Sequence, residues 1–195
     1  MNVAIVKYNA GNTHSVYLAL QRLGIEATIT DEAELLKSAD KVIFPGVGEA
    51  STAMNYLKER NLDSVIKELK QPVLGICLGM QLLCKHSEEG DTETFGIFNN
   101  AVKLFKSDSD KIPHMGWNNI SLNPSPLFNG VSNAEYFYFV HSYYTEASME
   151  TKAVCQYAGI EFSAALQKDN FYGVQFHPEK SSDQGAKLLK NFIEL

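Results

Sequence analysis

Val73-Leu74-Gly75-Ile76-Cys77-Leu78-Gly79-Met80-Gln81 runs from an apolar, strand-like segment straight into a helical one. A cysteine sits at the junction, with a glycine two residues away on each side. So tight a turn needs small neighbours, because Cβ atoms there would collide with adjacent backbone, and it presents the central side chain at the mouth of a sheet. The partial positive charge of a helix N-terminus favours thiolate over thiol at Cys77. The amide of Leu78 is placed to donate to a developing oxyanion. A buried structural cysteine before a helix accounts for the same pattern, so a nucleophile here requires a base elsewhere.

Working outward, the first half of the chain alternates short apolar runs with helical patterns. Strands are expected at Val3–Val6, Ala27–Ile29, Val42–Phe44 and Val73–Ile76. Helices are expected over Thr13–Leu23, Glu49–Leu57, Leu62–Leu69 and Leu78–His86. That alternation implies crossover connections and a mostly parallel sheet. Beyond it, Val102–Phe105, Asn119–Leu122, Tyr136–Val140, Ala153–Tyr157, Ser163–Gln167 and Tyr172–Phe176 are β-type runs. Lys168-Asp169-Asn170 reads as a hairpin turn. Ser87–Thr94 and Ser107–Asp110 read as polar, mobile loops. Ser182–Leu195 closes with an amphipathic helix, capped by Ser182 or Asp183, with Ala186, Leu189 and Ile193 on its buried face. The expected architecture is one α/β domain over residues 1–195: a central, mainly parallel sheet flanked by helices, with added antiparallel strands.

Composition narrows the function. A chain of 195 residues with a formal charge of −6 and no Lys/Arg cluster is a poor match to nucleic acid as main ligand. No apolar run approaches the length of a membrane span, and Met1–Tyr8 reads as a first strand rather than a signal peptide. The three cysteines, Cys77, Cys84 and Cys155, are an odd count with no disulfide framework. On one helix, Cys77 and Cys84 stand roughly 10 Å apart, too far to bridge. Cys84 and Cys155, in apolar surroundings, read as core. Reduced thiols point to the cytoplasm. His114 and Cys84 are too isolated to suggest zinc, and neither metal nor cofactor is implied.

The base is sought at strand ends, where active-site groups of parallel sheets collect. His177-Pro178-Glu179 follows the run Tyr172–Phe176. In extended backbone, residues two apart face the same side, so Glu179 is expected to sit beside the His177 imidazole, orient it and stabilise its charged form. A plain surface turn is the alternative. His14 and His86 fall in helical patterns, while His114 and His141 compete as base. No carboxylate follows His141 at two-residue spacing, which favours His177.

Together these residues resemble the class I glutamine amidotransferases, whose pattern is a Gly-x-Cys-x-Gly-x-Gln elbow followed by a His-x-Glu near the C-terminus. Within that family the chain is most similar to the glutaminase subunits of imidazole glycerol phosphate synthases. The supporting blocks are Tyr8–Asn12, Pro45-Gly46-Val47-Gly48, Gly75–Gln81, Pro113–Asn118, Tyr138–Tyr143 and Gly173–Ser181. The resemblance implies a three-layer fold in which Cys77 attacks the glutamine amide carbon and His177, held by Glu179, moves the protons. It also implies that Gly48, Gln81, His141, Ser142 and Tyr143 hold glutamine. The Gly46-Val47-Gly48 segment would reorient so that Val47 completes the oxyanion hole with Leu78. The implied partner is a cyclase subunit with a (βα)8 barrel, forming a heterodimer, with Asn12 and Trp117 near its surface; a core role competes for Trp117.

Departures from the family pattern are Asn9, Glu49-Ala50, Gly96–Asn100 and the Ser107–Asp110 loop. They touch none of the three catalytic candidates but leave the partner open, since related subunits serve nucleotide-sugar or surface-glycan pathways. A cysteine peptidase or other thiol hydrolase on a similar fold is a competing class, opposed by Gln81 and the His141-Ser142-Tyr143 block. A degenerate binding module would have lost a triad member, and none is missing.

Overall fold

The computed structural model describes residues 1–195. Its first half contains β1 (Val3–Val6), α1 (Thr13–Arg22), β2 (Ala27–Thr30), α2 (Ala33–Ser38), β3 (Lys41–Gly46), α3 (Ala50–Glu59) and α4 (Leu62–Glu68). Then come β4 (Val73–Cys77), α5 (Leu78–Leu83), and the short strands β5 (His86–Ser87) and β6 (Thr92–Glu93). The second half holds β7 (Ala101–Leu104), β8 (His114–Asn119), β9 (Ser121–Leu122), β10 (Tyr136–His141) and β11 (Tyr143–Thr145). It ends with β12 (Thr151–Tyr157), β13 (Ile160–Lys168), β14 (Phe171–Val174) and α6 (Ser182–Ile193).

The central sheet has the order β2-β1-β3-β4-β14-β13-β12-β9. Its first five strands run parallel, and β13, β12 and β9 extend it antiparallel. Apolar side chains pack on both faces. On one, Val16 and Leu20 of α1 join Leu188, Leu189 and Phe192 of α6. On the other, Met54, Leu57, Leu62, Ile66 and Leu82 cover the sheet. Burial on both faces explains why the parallel strands are continuous apolar runs rather than alternating ones. Two smaller sheets, the β8–β10 ribbon and the order β11-β7-β5-β6, stand beside it.

Several expectations are corrected. Helix α2 was absent from the sequence reading: it is six residues long and buries only Leu36, too little for a periodic signal. Helix α5 stops at Leu83 rather than His86. The carbonyls of Leu82, Leu83 and Cys84 accept from the amides of Phe95, Ile97, Phe98 and Gly96, so returning chain takes the bonds that further helix would have made. His86 therefore lies in a strand, and Ser87–Thr94 is the β5–β6 hairpin, turning through Gly90 and Asp91 at positive φ. The run at 119–122 is two strands: Asn119 ends β8, and Ser121 begins β9 on another sheet. Ser107–Asp110 is a turn closed by its own side chains, with Ser107 Oγ donating to Asp110 Oδ2 at 3.0 Å.

Neither Ser182 nor Asp183 caps α6. Ser181 occupies that place without capping, because its hydroxyl donates to the His177 carbonyl at 2.7 Å and accepts from the Tyr138 amide at 3.0 Å. Ala186 is half-buried; Gly185, Leu188, Leu189, Phe192 and Ile193 form the inward face.

Candidate active site

Cys77 ends β4 with φ 54° and ψ −111°, a strained left-handed conformation for a residue with a side chain. What holds it there is close backbone packing. A Cβ on Gly79 would fall on the carbonyl oxygen of Phe44, so only glycine lets α5 leave the sheet at this angle. The thiol is buried but borders a pocket, where its Sγ lies 3.9 Å from the Val140 carbonyl and accepts from Gln175 Nε2 at 3.6 Å.

His177 arrives from the neighbouring strand. β14 pairs with β4 in the register Gly173–Gly75 and Val174–Ile76, which brings the chain after β14 alongside Cys77. The His177 amide donates to the Tyr138 carbonyl at 2.9 Å, fixing the departure from the sheet. Nδ1 of His177 lies 2.8 Å from Glu179 Oε1, and both side chains are sealed from solvent. The expected pair therefore forms, but not through extended backbone. Pro178–Lys180 is a single 3-10 turn that folds Glu179 back onto the ring. Nε2 is buried and makes no hydrogen bond within the chain, Cys77 included, although Cys77 is near enough to be the first of the groups that raise the ring's pKa. Burial alone would lower the His177 pKa; the sulfur of Cys77 and the Glu179 carboxylate outweigh it and raise the value to about 10.

A cavity of about 310 Å³ opens at Cys77. Val47, Gly48, Leu78, Gln81, His141, Ser142 and Tyr143 all line it, so every residue expected to bind glutamine or its oxyanion is brought to one place. Gly48 adopts φ +113°, closed to residues with side chains. Gln81 Nε2 donates to the Tyr143 carbonyl and to Gln175 Oε1, both at 2.9 Å. Its amide thus ties α5 to two neighbouring walls.

His141 is no competitor as base. Its Nδ1 is 2.7 Å from the Tyr143 carbonyl and its Nε2 is 3.0 Å from His114 Nδ1. Burial pushes its pKa down to about 3 and that of His114 to about 4. No group of three or more His, Cys, Asp or Glu is placed to hold a metal ion.

One pocket residue, Glu89, and one residue behind the pocket, Gln175, escaped the sequence reading. Glu89 lines the cavity from the β5–β6 hairpin, and its Oε2 accepts from the Ala50 amide at 2.8 Å. Gln175 is fully buried between Cys77 and Gln81. Its only signal was a polar residue amid an apolar run. Asn12 donates to Glu179 Oε1 at 2.9 Å, so its amide serves this chain's own carboxylate. Trp117 is 52% exposed, which removes the core alternative; Met115 and Tyr136 stand out on the same ribbon.

The family model for "Glutamine amidotransferase class-I" matches residues 4–195. The chain belongs to the class I glutamine amidotransferases. Among members of this family, it is 59% identical over 197 residues to the imidazole glycerol phosphate synthase subunit HisH of Bacteroides fragilis (strain YCH46), covering 100% of both chains. The subunit of the same name from Bacteroides thetaiotaomicron is 57% identical with the same coverage. That of Vibrio vulnificus (strain CMCP6) is 48% identical over 99% of this chain and 98% of that one. A solved glutamine amidotransferase superposes with a TM-score of 0.76 at 18% identity, covering 98% of this chain and 97% of that one. PurLQS from Thermotoga maritima gives 0.73 at 19%, covering 99% and 97%. Such distant amidotransferase structures establish the shared fold.

Proposed function

We propose that this chain is the glutaminase subunit of an imidazole glycerol phosphate synthase, hydrolysing glutamine and passing the ammonia to a cyclase subunit with a (βα)8 barrel. The observation that carries the glutaminase reading is the meeting of Cys77 with the buried His177–Glu179 pair behind a pocket that Cys77 lines with Gln81 and His141–Tyr143. Relatives at 57–59% identity over their whole length support the particular synthase.

In the first half-reaction the Cys77 thiolate attacks the side-chain amide carbon of glutamine. The oxyanion is met by the backbone N–H groups of Leu78 and, after reorientation of its segment, Val47. Protonated His177 donates from Nε2 to the departing nitrogen, the C–N bond breaks, and ammonia leaves a glutamyl thioester on Cys77. Neutral His177 then takes a proton from water as it attacks the thioester; glutamate departs and the thiolate returns. Glu179 keeps the proton on Nδ1, leaving Nε2 for both transfers. Glu89, with its carboxylate at the pocket, suits the α-ammonium of the substrate. The exposed ribbon face bearing Met115, Trp117 and Tyr136 suits the partner. The three free thiols fit a cytoplasmic enzyme.

The test is glutamate release by the purified chain mixed with the barrel protein that co-purifies with it, acceptor present. Cys77→Ala is expected to abolish release, and undiminished release would sink the mechanism. A co-purifying barrel from a glycan pathway would redirect the choice of synthase.

A further inference from the structure

His114 and His141 are cross-strand partners in the β8–β10 ribbon, and their rings form a chain of hydrogen bonds with a single permitted direction. The Tyr143 carbonyl, 2.7 Å from His141 Nδ1, accepts only, so Nδ1 carries the proton and Nε2 of the neutral ring must accept. Nδ1 of His114, 3.0 Å away, is therefore the donor. That leaves Nε2 of His114 as an acceptor, met by Asn118 Nδ2 at 3.3 Å. The Asn118 amide is itself oriented: Oδ1 accepts from the Asn119 amide at 2.9 Å and Nδ2 also donates to the Gln156 carbonyl at 3.0 Å.

The chain needs two neutral rings, and burial keeps both neutral. Packing fixes the plane of His114. It stacks on Tyr157 with centroids 4.0 Å apart and on Phe139 at 4.8 Å. The other end is the pocket wall, where the Tyr143 carbonyl accepts from both His141 and Gln81.

We propose that His114 is a positioning residue for glutamine binding. It does not line the pocket, yet its Nδ1–H donates to His141 Nε2 and holds that ring in the orientation and tautomer in which it bonds the Tyr143 carbonyl, and with it the Ser142–Tyr143 wall. The proposal rests on the glutaminase reading above.

Two measurements test it. In 15N-histidine NMR of the full chain, both His114 and His141 should be neutral with the proton on Nδ1. In steady-state glutamine hydrolysis with the co-purifying barrel and acceptor, His114→Phe should raise KM about ten-fold and keep kcat within about two-fold, the pattern of lost binding. His114→Asn, whose amide nitrogen stands as many bonds from the backbone as Nδ1, should recover KM to within about three-fold of the wild type. Mere loss of folded protein would lower the apparent kcat and leave KM alone. A His141 protonated on Nε2 in the wild type overturns the proposal, as does an unchanged KM in His114→Phe. A wild-type chain inactive toward glutamine would instead defeat the glutaminase reading, with the NMR result still deciding the direction of the histidine chain.

Discussion

Glu179 accepts a 2.8 Å hydrogen bond from His177 Nδ1 at a point where neither side chain meets solvent. The same oxygen takes a second bond from Asn12, so the carboxylate is held from two sides. Glu179→Gln keeps an oxygen but removes the charge that stabilises the imidazolium. The kcat for glutamine should fall roughly 10- to 1,000-fold with KM little changed. Steady-state glutamate release measures it, and a kcat equal to the wild type would remove Glu179 from the mechanism.

The raised pKa of His177 makes stability depend on pH. Its folded value, about 10, lies above the ordinary 6.5, so protonation stabilises the fold fully below about pH 6.5. That contribution is lost as pH rises toward about 10. The stability gap between wild type and His177→Phe should therefore narrow across this window. Cys77→Ala should flatten the dependence, since the sulfur is the leading cause of the upward shift. Thermal unfolding at several pH values reports both, and a gap that widens with pH would contradict the account.

Gln81 Nε2 donates to Gln175 Oε1 with both side chains buried. Gln81→Met keeps the volume but orphans Gln175 Oε1, a loss of about 1–3 kcal/mol. Replacing both by Met should cost less than the two single changes added together, because the Gln81–Gln175 bond is lost only once and no buried Gln175 oxygen is left unmatched. Urea denaturation of the four proteins closes the cycle; strict additivity would mean that the bond contributes nothing.

Trp117 lies on the ribbon with its ring 6.1 Å from that of Tyr138, more than half exposed. Trp117→Ala should leave the melting temperature within about 2 °C, as expected for a surface change of ±0.5 kcal/mol. Binding to the proposed barrel partner should weaken by about 2 kcal/mol or more, as for a central aromatic anchor. Calorimetric titration decides; unchanged affinity would move the interface elsewhere.

If, as proposed, the Val47 amide joins the oxyanion hole only after its segment reorients, the chain by itself should hydrolyse glutamine slowly. Glutamate release measured with and without the barrel should differ by at least about ten-fold. Equal rates would argue against that gating.

The elbow and the parallel half of the fold were legible in the sequence because their signals are local. Val73–Ile76 is a continuous apolar run, and Gly75 and Gly79 bracket Cys77 at fixed spacing. Boundaries set by distant chain were not legible. α5 ends where Phe95–Phe98 takes its carbonyls, and Ser181 fails to cap α6 because β10 and His177 hold its hydroxyl. The site divides along the same line. The His177–Glu179 pair was readable from spacing, although the 3-10 turn that closes it was not. Glu89 and Gln175 have no such spacing; one reaches the pocket through a hairpin and the other reaches Cys77 from a strand end, and both destinations depend on the assembled sheets.

The adjacency of β4 and β14 has a consequence for how the protein is made. The elbow cysteine precedes in the chain the strand that completes its surroundings. A nascent chain therefore carries the thiol long before it carries the proton acceptor. A chain that ends before His177 lacks both the imidazole and the carboxylate that the proposed mechanism requires.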